Sequence, residues 1–326
     1  MTARKGRGKL IVPPLTPAIV ELAGRQHRRG EAASRLLLQT RAIAFVEGYE
    51  LRRRTRRNDV HAELARIRPD NRGFAYEGAA LAAALADLAT PRRGQRRYGL
   101  GSSDTHLGSL LAGPGTGFVH LIHVGAGWSA ALLPWRMLHR RLPLDSLLRW
   151  LAVDGAGFSR GFFGGPRWIR RLAHRPDRED PVQAVLCQGV GRSLWFVECG
   201  DGAGLGRHIE RFPPGLRREL WAGVGLAASY AGGGTDRQIE QLLTLGGEDR
   251  AALAQGAVFA AEAQRTAGHI PAHTEAAVSA FTGVSAHTAA DWARDSYEFA
   301  RALGSEIESY RWWQCEIRSR ATAVAD

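Results

Sequence analysis

Two carboxylates stand at matching places in otherwise apolar stretches of this sequence. Glu77 precedes Gly78 in "YEGAALAAALAD", and Asp154 precedes Gly155 in "DGAGFSRGFFGG". Gln188 and Gln255 hold the same place before Gly189 and Gly256, and Ala222 holds it before Gly223. A carboxyl group among apolar neighbours resists ionisation, so it can hold and deliver a proton near neutral pH. Arg192, in "QGVGRSLWF", sits among small and apolar residues beside this row. An arginine so placed pairs with a buried carboxylate or with an anionic ligand. Glu77, Asp154 and Arg192 are therefore the candidate catalytic residues, as acid–base and electrostatic groups. The competing reading is that the carboxylates cap or bridge helices and that Arg192 pairs with them. Trp195, Phe196, Trp221, Tyr230 and Phe259 occupy equivalent places further along, where aromatic rings fill grooves between helices or box a ligand.

Other patterns carry less chemistry. "GFSRG" matches the G-x-S-x-G elbow of serine hydrolases, but an elbow serine needs a strand, a strained turn and a helix. The preceding "LDSLLRWLAVDG" has helical periodicity, which makes Ser159 a small residue in a helix contact. "HLIH" (His120, His123) and "HIPAH" (His269, His273) lack a neighbouring Glu or Cys, so no metal site is expected. "GDGAGLG" does not have phosphate-cradle spacing, and no D-D-x-x-D run marks a metal-dependent terpene cyclase. No cofactor is implied.

The elements that position these residues read as helices. "EAASRLLLQTRAIAFVEGYELRR" brings Leu36, Leu37, Ala42, Phe45 and Tyr49 near one face. Alanine- and glycine-rich runs follow, each ended by Gly or Pro, and no convincing alternating strand occurs. The leading glycines Gly155, Gly189, Gly223 and Gly256 are spaced by 34, 34 and 33 residues, with looser copies at Gly78 and Gly125. That period matches a tetratricopeptide-like helix–turn–helix unit. The expected fold is all-α: a helical-repeat solenoid, or a compact helical array, over residues 31–326. Residues 1–30 read as a flexible basic segment without the apolar core of a signal peptide. From Leu107 to Trp135 no residue is formally charged, but six glycines and two prolines favour a buried helix over a membrane span.

The chain has 326 residues and a formal net charge of +12, almost all from arginine. The arginine runs are scattered and no nucleic-acid motif joins them, so they read as solvated helix faces and no nucleic-acid partner is expected. Three widely spaced cysteines give neither a disulfide framework nor a zinc pattern, which suits the cytoplasm.

The stretches "RGFAYEGAA", "WLAVDGAGFSRGFF", "QGVGRSLWF", "FPPGLRRELWAGVGLAASYAGG", "LAQGAVFAAEAQRTAG" and "PAHTEAA" together resemble the UnbL-like family, a domain of unknown function encoded beside enediyne polyketide synthases in actinomycetes. The resemblance runs from about Phe45 to about Ala290. Shared positions are Arg72, Tyr76, Glu77, Asp154, Gln188, Arg192, Trp221, Tyr230, Gln255, His273 and Glu275. The family pattern departs at Ser159, where a histidine is common. The resemblance implies work on a linear polyene released by an iterative synthase, together with biosynthetic partner proteins. Tyr76, Gln188, Trp195, Trp221, Tyr230, Gln255 and His273 are then the candidate substrate-binding residues around Glu77, Asp154 and Arg192. The first expectation is an enzyme, or enzyme subunit, that holds a long apolar unsaturated chain in a helical groove. The alternatives are a non-catalytic carrier or scaffold, and a terpenoid cyclase-like enzyme of unconventional type.

Overall fold

In the computed structural model, described for residues 30–57, 59–89, 105–130, 147–174, 180–304 and 306–325, every regular element is a helix. The N-terminal segment, save Gly30, and the end of the uncharged stretch lie outside the described residues. In chain order the helices are α1 (Ala32–Arg54), α2 (Val60–Ala65), α3 (Pro69–Ala89), α4 (His106–Leu111), α5 (Val119–Ala130), α6 (Leu151–Ala173), α7 (Pro181–Glu198), α8 (Gly202–Ile209), α9 (Pro214–Ala231), α10 (Asp236–Gly246), α11 (Arg250–Thr266), α12 (Ala272–Thr282), α13 (Ala286–Leu303) and α14 (Ile307–Ala325). Local signals start and stop them. Asp180 accepts from Val182 N at 2.9 Å with Pro181 in the first turn of α7, and Thr235 and Gln238 form a capping box on α10. Gly283, at φ 73°, ends α12. Gly165, at φ 61°, and Pro166 kink α6.

The helices α1, α3, α5, α6, α7, α9 and α11 lie side by side in that order. The repeated glycines explain how. A Cβ on Gly189 would lie 1.8 Å from the Asp154 carbonyl oxygen, and one on Gly157 would lie 2.1 Å from that of Leu186. Rising numbers on α6 meet falling numbers on α7, so the two helices are antiparallel. The same exchange joins Gly155 to Val124 and Gly127 to Ala152, Gly223 to Gln188 and Gly191 to Leu220, Gly256 to Ala222 and Gly225 to Leu253. Within α6, α7 and α9, one glycine faces the neighbour before and another, two residues on, faces the neighbour after. Each glycine weakens its own helix by about 1 kcal/mol, and close contact between helix backbones offsets that cost.

The architecture is the compact array, not a tetratricopeptide-like stack. The interval from Gly78 to Gly125 is far longer than the others, so the glycines share a packing device without a constant period. The row also curls back on itself. Arg41 of α1 donates to the Ala231 carbonyl at the end of α9 at 3.2 Å, and the Phe74 ring of α3 meets Tyr230 of α9 edge-on at 5.3 Å. A rising superhelix would keep these helices apart. Finally α14 folds back across α7, α9 and α11, with Gln314 donating to Gln188 at 2.8 Å. The uncharged helix α5 is buried in the array, and no helix among the described residues is long and apolar enough to cross a membrane.

Candidate functional site

The curl turns the residues before the leading glycines toward one interior. Glu77, Asp154, Gln188 and Gln255 are all buried there, as is Arg192. Arg192 pairs closely with Asp154 and keeps a second, longer ion pair of 3.9 Å with Glu77. Gln188 donates to the other Asp154 oxygen at 2.8 Å. Gln255 and Gln314 both donate to Gln188 Oε1, at 3.3 and 2.8 Å. Arg318 then donates to Gln255 at 2.7 Å and to Glu219 at 2.7 Å, and Arg311 donates to Glu219 at 2.8 Å. One connected polar network therefore runs from Glu77 to α14. A buried network of this kind rigidifies a core when its members are satisfied.

Its two ends differ in electrostatics. Burial pushes the Glu77 carboxyl up, to about 7; Arg192 and the Trp128 hydrogen bond pull it back, and Asp154 adds to the rise. Burial alone would also raise Glu219, but Arg318 and Arg311 outweigh it and hold this carboxyl at about 2. Burial would lower Arg192, and Asp154 with Glu77 overcomes that and raises it. Glu77 is thus the carboxyl that changes protonation near neutrality, and Glu219 is a fixed anion clamped by two arginines.

Glu77 and Arg192 form part of the wall of a cavity of about 270 Å³. Aromatic rings, among them Phe45, Phe74, Trp128, Phe158, Phe162 and Phe196, make up half of the lining, and Arg41 and Gln39 also reach it. Trp128 is central to it. Its Nε1 donates to Glu77 Oε1 at 2.9 Å, and its ring stacks on Phe45 at 4.3 Å and lies 5.0 Å from Phe158. The Arg192 guanidinium lies 5.1 Å above the Phe158 ring. The α1 side of the cavity includes Ile43, which is 56% exposed, so that side reaches solvent. A smaller cavity of about 40 Å³ lies across Arg192 and is lined in part by Asp154, Tyr230, Phe259 and Trp313.

The structure thus brings Glu77, Asp154, Arg192, Gln188 and Gln255 together, with Tyr230 on the smaller cavity. Of the candidate catalytic and substrate-binding residues, only Glu77 and Arg192 line the larger cavity; Asp154 reaches the smaller one, and Gln188 and Gln255 line neither. Tyr76 points the other way, with its hydroxyl 3.0 Å from His61 Nδ1 and its ring stacked on Phe118 at 4.1 Å. Trp195 is buried and donates to the Gly232 carbonyl at 2.9 Å. His273 Nε2 lies 3.2 Å from the Tyr230 carbonyl, and Trp221 packs in the core. Arg72 donates to the Ile67 and Ala65 carbonyls, and Glu275 accepts from Ala286 N at the start of α13. These residues hold the frame. Ser159 is buried within α6 and has no elbow around it. No group of three or more His, Cys, Asp or Glu side chains that could hold a metal ion occurs among the described residues. Sequence spacing picked out Phe196 but missed Trp128, the other phenylalanine walls and the Glu219–Arg311–Arg318 clamp. One signal was present: Phe45 stands in α1 three residues before Gly48, as Asp154 stands three before Gly157.

The model of the family described as "Protein of unknown function (DUF1702)" matches residues 3–321. The chain belongs to this family. No curated protein and no solved structure matches it. For this DUF1702 member, whose family description assigns no activity, the interior network and the aromatic cavity are the structural features that bear on function.

Proposed function

We propose that the chain holds a long apolar unsaturated molecule in the aromatic cavity and that Glu77 moves a proton to or from it. The observation that carries this reading is a buried carboxyl of pKa about 7 in the wall of a largely aromatic cavity. A general acid works best when its pKa lies near the working pH. Arg192 would stabilise the Glu77 carboxylate once the proton has left, while Asp154, held in turn by Gln188, fixes the guanidinium. Trp128 would hold the Glu77 carboxyl in one orientation. Aromatic walls with a few convergent polar groups suit an apolar ligand whose register must be set. The family resemblance supplies the substrate class: a linear polyene from an enediyne polyketide synthase, delivered in the cytoplasm by biosynthetic partner proteins.

Two measurements test this. Diphenylhexatriene, a rod-like apolar polyene, should bind the purified chain at one site and take up excitation energy from Trp128; absence of saturable binding refutes the cavity assignment. In the native producer, deletion of the gene should cause linear polyene to accumulate, and restoration with Glu77→Gln should not relieve it although that protein still binds diphenylhexatriene. Full relief by Glu77→Gln would leave a non-catalytic carrier.

A further inference from the structure

Beyond proton transfer in general, the walls of the cavity indicate what forms after the transfer. The rings of Phe45, Trp128, Phe158, Phe162 and Phe196 surround the space beside the Glu77 carboxyl. A ring face attracts a cation within about 6 Å, most strongly when water is excluded. Two positive groups of the wall already use this property: the Arg192 guanidinium over Phe158 and the Arg41 guanidinium over Phe74. Asp154 balances the Arg192 charge through its close pair with that residue. Arg41 lines the same cavity, so with Glu77 protonated Arg192, Asp154 and Arg41 leave one net positive charge on its wall. Once the proton has left, the Glu77 carboxylate cancels that charge, and the wall no longer repels a cation.

We propose that the reaction is a redox-neutral, proton-initiated isomerisation or cyclisation of a polyene, passing through a carbocation held by these rings. This rests on the reading of the cavity given above. The Glu77 O–H bond breaks, and a π pair of one double bond forms a C–H bond with the proton. The adjacent carbon becomes cationic. A second double bond of the same molecule gives its electron pair to that carbon and closes a C–C bond. A proton then leaves a carbon next to the new cation, returns to the Glu77 carboxylate and restores a double bond. Substrate and product are isomers, so no oxidant or reductant is consumed.

The test uses a stable cation in place of the transient one. N,N-dimethyldecylamine is protonated at neutral pH, and the tertiary alcohol of the same skeleton is its uncharged counterpart. Each competes with diphenylhexatriene for the full chain. The amine should bind at least about tenfold more tightly than the alcohol. Calorimetry near about pH 6 in buffers of different ionisation heat should show close to one proton released per amine bound, as Glu77 ionises to meet the charge. The groups that face Glu77 in this titration are Arg192, Asp154, Arg41, Tyr230 and the Trp128 N–H. Glu77→Gln should abolish proton release, and Phe158→Leu should weaken amine binding several-fold more than it weakens alcohol binding. Equal binding of amine and alcohol without proton release would overturn the carbocation step and leave the apolar-ligand reading standing. Failure of diphenylhexatriene itself to bind would overturn both.

Discussion

Replacing Glu77 with glutamine separates the proton from the shape of the site. Glutamine keeps an oxygen for the Trp128 N–H but cannot ionise. In the folded chain Glu77 titrates at about 7, against 4.5 for an ordinary glutamate. At about 1.4 kcal/mol per pKa unit, ionised Glu77 costs the fold on the order of 3 kcal/mol. The folded state holds this proton where the unfolded chain has already lost it. Stability must therefore fall as pH rises from about 4.5 to about 7, and the contribution is fully present only below that window. Urea unfolding at a series of pH values reads the effect. Carboxylates common to both proteins cancel in the difference between wild type and Glu77→Gln. That difference should be small near about pH 4 and should swing by about 3 kcal/mol in favour of the variant near about pH 8. Parallel stability curves would refute the argument, because they would mean that Glu77 ionises in the folded chain as easily as in the unfolded one.

The clamp at the other end of the network should respond in the opposite sense. Glu219, held at about 2, contributes stability above its ordinary value of 4.5 that is lost as pH falls toward 2; Glu219→Gln should cost roughly 3 kcal/mol at neutral pH and progressively less in acid, read by the same urea series. Trp128→Phe removes a hydrogen bond that lowers the Glu77 pKa, so the window in which stability is lost should move to higher pH. Gly189→Ala, whose Cβ would meet the Asp154 carbonyl oxygen at 1.8 Å, should lower stability by more than about 3 kcal/mol. Gly206→Ala is the control: its Cβ would meet only Leu245, at 3.8 Å, and thermal unfolding should show no loss and a gain of up to about 1 kcal/mol.

Much of the interior was legible because one packing device places equivalent residues alike. Once Gly78, Gly155, Gly189 and Gly256 are aligned, the residues before them share a position, and Glu77, Asp154, Gln188 and Gln255 do share one interior. Arg192 lies three residues beyond Gly189 on α7 and reaches the same network. The misses have physical causes. Tyr76 adjoins Glu77 in sequence, but successive helical residues point about 100° apart, and Tyr76 faces His61 instead. Trp195 resembled a ligand-box aromatic, yet its indole serves the Gly232 carbonyl. Trp128 could not be singled out, because its partners Glu77 and Phe45 come from helices far away in sequence. The Glu219 clamp was hidden for the same reason: it forms only when α14 folds back over α9.

The exchange of glycines between neighbouring helices has an evolutionary consequence. The wall is set by small residues at fixed offsets, where any added methyl group drives two backbones apart. The residue just before each leading position is under no such constraint. Along the row that place already holds phenylalanine, glutamate, valine, aspartate, glutamine and alanine. Selection can therefore rewrite the interior without moving the helices, provided that buried partners such as Arg192 and Asp154 change together. Relatives built on the same frame are free to differ in chemistry, and a library that varies those positions jointly with their polar partners would sample new interiors on one scaffold.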